Sequence, residues 1–89
     1  MSYVYKIGDF VASYTRGKKH LGFIKDKEYT SIGILYSIEY KWDEDGNEIK
    51  PFEASTFDEY IMSGFEYIHK RVKEKKQEIA NLRSIEEHV

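Results

Sequence analysis

Arg16, Lys18, Lys19, His20, Lys25 and Lys27 fall in one stretch with Tyr14, Phe23 and Tyr29 interleaved. Cations hold phosphates and flat rings stack on bases, so this mixture is what single-stranded nucleic acid recognition requires. A second basic run, Lys70, Arg71, Lys73, Lys75 and Lys76, spreads round a helix and reads as a solvated face. Catalytic patterns are lacking. There is no Gly-x-Ser-x-Gly and no Gly-x-Gly-x-x-Gly, and Gly17-Lys18-Lys19 lacks the upstream glycine and the Ser/Thr of a phosphate loop. Glu66-x-x-His69 has the spacing of one half of a di-iron helix pair, without the other half. Glu39, Asp43 and Glu53 supply carboxylates with no inferable cleft around them. The expectation is a non-enzymatic protein with no catalytic, metal or cofactor-binding residue and no small-molecule substrate.

Aromatic residues carry more. Residues 1–54 hold six Tyr, three Phe and one Trp, more than a small β unit can easily bury. Tyr14, Tyr40 and Trp42 are candidates for an exposed binding surface, since such rings are enriched where proteins meet. The competing reading packs Ile34, Tyr36, Ile38, Tyr40 and Trp42 as one strand face beneath a helix.

Positioning any of these groups falls to two kinds of element. Up to about Phe52 the apolar period is two, clearest from Ile32 to Trp42, before the turn Asp43-Glu44-Asp45-Gly46-Asn47. From Phe57 onward the period is helical. The sequence therefore predicts an α+β chain: a small antiparallel β-barrel or bent sheet of four or five strands over residues 1–54, and a long helix over residues 55–89. Gly8 and Asp9 suit a tight turn into a first strand, and Gly22 suits a bulge or close backbone approach. Thr15 to His20 reads as a basic loop. Pro51 confines its short strand, Glu48 to Phe52, to an edge. Ser55 with Asp58, or Thr56 with Glu59, fits a helix capping box, and Ser63-Gly64 marks a kink or a break between two helices.

Within the helical stretch, Ile61, Phe65, Ile68 and Val72 beside Phe57, Tyr60, Gly64 and Tyr67 make a wide face suited to lie on a sheet. Beyond it only a narrow seam continues. As heptads, Phe65, Val72, Ile79 and Glu86 fall at a, and Ile61, Ile68, Lys75, Leu82 and Val89 at d. A projecting seam of Val72, Ile79, Leu82, Ile85 and Val89 needs cover, and a coiled coil with a second copy is the economical source.

The string Ile7-Gly8-Asp9-Phe10-Val11-Ala12, a basic loop, then Leu21-Gly22-Phe23-Ile24 resembles the opening of SH3-like barrels of the Tudor and KOW type. The resemblance covers about Lys6 to Phe52. It implies a binding module for peptides, modified side chains or nucleic acid, with Tyr14, Tyr36, Tyr40 and Trp42 matching an aromatic cage in residue type alone.

Charge and composition set the remaining bounds. Net charge is −2: residues 1–30 carry +3, residues 31–66 carry −7 and residues 67–89 carry +2. That balance opposes a general polyanion binder, and the acidic turn could present Asp43 to Glu48 to a basic partner. With no cysteine there is no disulfide or thiolate metal site, and a cytoplasmic setting is expected. No membrane span or basic-then-apolar leader is visible. The expected function is a protein-interaction module, homodimeric through its helix and binding a further, unidentified protein. A nucleic-acid-binding barrel using residues 16–27 is the alternative.

Overall fold

The computed structural model describes residues 4–87, with side-chain surroundings for residues 4–78. Five strands form one antiparallel sheet: β1 (Phe10–Thr15), β2 (Lys18–Thr30), β3 (Gly33–Asp43), β4 (Glu48–Phe57) and β5 (Ile61–Ser63). Their order is β4-β3-β2-β1-β5, so four strands meander and the fifth returns to the free edge of the first. The sheet is not closed. One helix, α1 (Gly64–Glu87), follows.

The turns follow from local chemistry. Asp9 Oδ2 accepts the Lys6 amide at 2.8 Å, Gly8 takes φ 93°, and its amide reaches the Ile24 carbonyl at 2.8 Å. What was expected as a basic loop is a two-residue hairpin turn. Arg16 and Gly17 both take positive φ (52° and 83°), and Lys18 to His20 already belong to β2. A right-twisted hairpin favours such turns, and the cost at Arg16 is offset where its guanidinium lies 3.6 Å from the centre of the Phe52 ring. Ile32 sits at the next turn, 81% exposed, rather than opening the alternating strand. Asp43 shapes the acidic turn, its Oδ1 accepting the amides of Asp45 and Asn47 at 3.0 and 2.9 Å.

The sheet buries residues on both faces. On one, Val11, Ile24, Tyr36, Ile38, Tyr40 and Ile61 pack with Tyr5. The Tyr36 hydroxyl accepts the Tyr5 amide at 3.0 Å, and the Tyr5 hydroxyl donates to the Ile61 carbonyl at 2.9 Å, so both buried rings keep a polar partner. On the other face, Ala12, Leu21 and Tyr67 pack with Phe10, Trp42 and Met62.

A bulge decides which residue joins which face. Gly22 pairs with Tyr40 while Leu21 pairs with Trp42, leaving Lys41 as the extra residue. Tyr40 and Trp42, two apart in sequence, therefore lie on opposite faces. The row expected on one face ends at Tyr40. Gly22 is the position that permits this crossing: a Cβ there would run into the Glu39 carbonyl.

The boundary between sheet and helix is shifted from its expected place. β4 continues through Ser55 and Thr56 to Phe57, and no side-chain cap forms at the 3₁₀ turn Asp58–Tyr60 that follows. Ser55 and Thr56 pair instead with Ser37 and Tyr36, so sheet pairing takes the residues that could have capped. Ile61 joins β5, its side chain in the core, and the helix begins only at Gly64. The break at Ser63-Gly64 is real, but what precedes it is a strand.

Candidate functional site

α1 meets the sheet along a narrow line: Gly64, Tyr67 and Arg71, spaced three and four. Gly64 lies against the Phe10 ring so closely that a Cβ there would run into it. Tyr67 is 7% exposed and its hydroxyl donates to the Glu44 carbonyl at 3.1 Å. Burial pushes its phenol above the usual value. Arg71 Nη2 donates to Asp45 Oδ1 at 2.9 Å, and Glu74 lies 3.9 Å from Nη1. The paired carboxylate and hydrogen bond raise the guanidinium further. The acidic turn is thus a clamp on α1. Asp43 orders its own backbone, its carboxyl held below the ordinary range by the Asn47 amide, and Asp45 holds the helix.

Of the wide apolar face expected to lie on the sheet, the Gly64–Tyr67 line does, while the Phe65, Ile68 and Val72 line does not. Phe65 is 72% exposed, Ile68 42% and Val72 47%, on a stripe turned about 100° from the docked line. The physical reason is that close packing of helix on sheet is achieved through Gly64, whose lack of side chain lets the backbone approach; the larger neighbours are rotated outward. The uncovered stripe of the described residues therefore starts at Phe65 and includes Val72, the residue expected to begin it. Beside the stripe is a groove of about 200 Å³, lined by Leu21, Gly46, Tyr67, Ile68 and Val72 and by the charged Glu44, Asp45, Arg71 and Lys75. Among the described residues there is one α-helix, so a coiled coil built on it requires a second molecule. Val89 and the side chains of Ile79, Leu82 and Ile85 lie outside the described residues.

The remaining candidates scatter. Tyr14 is 63% exposed, its hydroxyl donating to the Gly17 carbonyl at 2.7 Å. Tyr40, expected on the surface, is buried, and its phenol is pushed up by that burial. Trp42 is half-buried between Phe10 and Phe23 at 5.8 and 5.7 Å. The structure therefore does not gather Tyr14, Tyr40 and Trp42 into one surface. Among the basic residues, His20 is buried between the Tyr40 and Phe52 rings, its Nδ1 3.2 Å from the Lys18 carbonyl, and is withdrawn from any phosphate contact. Strand alternation turns it inward once Lys18 to His20 enter β2. Arg16 is engaged on Phe52, and the Lys27 ammonium is 5.8 Å from the centre of the Tyr29 ring. Lys18 and Lys25 are exposed. Lys19, however, lines one pocket with Lys70 and Arg71, alongside Glu44 and Glu74. Sequence reading kept these two basic runs apart; the helix docking joins them.

Among the described residues no group of three His, Asp or Glu could hold a metal ion. No helix there is long and apolar enough to cross a membrane. No family model, curated protein or solved structure matches this chain.

Proposed function

We propose that this chain is a non-enzymatic protein-interaction module, built on an SH3-like β unit, acting in the cytoplasm and homodimeric through α1. The observation that carries the reading is the continuous outward stripe Phe65, Ile68 and Val72, flanked by an apolar groove. Three large apolar side chains aligned in the open are a docking surface rather than scattered exposure. The SH3-like part rests on the bulged meander whose fifth strand returns to the first, and on the Gly8-Asp9 turn entering β1. The cytoplasmic part rests on the absence of cysteine. Static light scattering at micromolar concentration tests the dimer: twice the 10.6 kDa chain mass is expected, and a strictly monomeric mass overturns it.

A nucleic-acid-binding reading has one observation in its favour, the convergence of Lys19, Lys70 and Arg71 on a single pocket. It predicts salt-sensitive retardation of a generic oligonucleotide, weakened by Lys18→Glu with Lys19→Glu. No shift at low salt removes it.

A further inference from the structure

We propose that the occupant of the Phe65–Ile68–Val72 stripe is the C-terminal half of α1 from a second copy, the two helices running antiparallel; this rests on the dimer reading above. The first support is charge. Residues 64–76 carry a net +3 and residues 77–89 a net −2. Parallel helices in register set each half against its own sign, whereas antiparallel helices set +3 against −2. At the 8–10 Å spacing of packed helices, about one Debye length, such charges are felt rather than screened away.

Placement of the sheet is the second support. It grips α1 at Gly64, Tyr67 and Arg71, the N-terminal end, with the Arg71–Asp45 bond its last hydrogen bond to the hairpin among the described residues. The helix runs on for three further turns to Glu87, and the molecule is 59 Å long against 33 and 21 Å in its other directions. A parallel pair would crowd both sheets round one end of the helix pair and leave the far half bare on both. Antiparallel pairing separates the sheets and lays the other copy's C-terminal helical half along the stripe and the groove beside it.

Because the chain has no cysteine, single labels are straightforward. Nitroxides are placed on Glu66→Cys and, separately, on Gln77→Cys, both exposed, and read by pulsed dipolar spectroscopy on the full chain. For antiparallel helices overlapping along their length, the Glu66 labels are expected about 30 Å apart or more, the axial offset of that position from its copy. Gln77, near the centre, is expected at about 20 Å or less, the helix spacing plus linkers. Short distances at both positions overturn the orientation while leaving the dimer intact. No dipolar signal at either position, with a monomeric mass, overturns the dimer and the orientation with it.

Discussion

The inner face of the sheet and the stripe on α1 are made of the same residue classes, yet one is sealed and the other open. Val11, Ile24, Tyr36, Ile38 and Tyr40 are essentially inaccessible, covered by Tyr5, Ile61 and the bend of the sheet itself. Among the described residues, Phe65, Ile68 and Val72 are left 72%, 42% and 47% exposed, with Phe65 touching Phe10 edge-on at 5.0 Å and Ile68 and Val72 bordering the groove beside Leu21. Burial on the sheet stabilises the single molecule, whereas burial available on the helix can stabilise only an assembly. Apolar pattern alone does not separate these roles; what separates them is where the glycine sits. Gly64 draws one line of the helix onto Phe10 and so turns the neighbouring line away.

The largest effect that would break the sealed side is at Gly22. Gly22→Ala places a methyl into the Glu39 carbonyl, backbone that cannot yield, and a loss above about 4 kcal/mol is expected in urea unfolding followed by Trp42 fluorescence. Next comes the direct contrast. Ile38→Ala, fully buried, costs about 2–5 kcal/mol, while Ile68→Ala changes the dilute, unpaired chain by no more than about 0.5 kcal/mol. Equal losses from the two would abolish the distinction. Gly64→Ala is intermediate: the new methyl pushes on the Phe10 ring, which can shift only against Phe23, Trp42 and Phe65, and a net loss of about 1–3 kcal/mol is expected, relieved by Phe10→Leu. The smallest effect is in acid. The Asp43 carboxyl is held low by the Asn47 amide, so its contribution is present above the ordinary carboxylate pKa and is lost as pH falls through the depressed one. Asp43→Asn is expected to flatten that acid limb of an unfolding-midpoint profile; an unchanged limb would assign it to other carboxylates.

Much of the sheet was legible in the sequence. The Asp43 to Asn47 turn, the Gly8-Asp9 entry to β1, the edge position of Pro51 and the close approach at Gly22 each follow from one residue's backbone chemistry. What the sequence hid were competitions. Ser55 and Thr56 can cap a helix or continue a strand, and pairing with β3 won. Tyr40 and Trp42 share a period, and the Lys41 bulge divided them. His20 looked like part of a basic loop because the Arg16-Gly17 turn is tighter than the run of polar residues suggests. For the candidate seam, the heptad spacing put Val72 on a helix, which the structure has, but whether Phe65 and Ile68 faced inward or outward depended on Gly64 against Phe10, a contact between residues far apart in the chain.

The most direct test replaces the open stripe alone. Ile68→Glu with Val72→Glu should reduce the micromolar mass from dimer to monomer while the urea midpoint stays that of the diluted wild-type chain. A dimer that persists, or a monomer that has lost its fold, would contradict the division of α1 into a line that holds its own sheet and a stripe that holds another molecule.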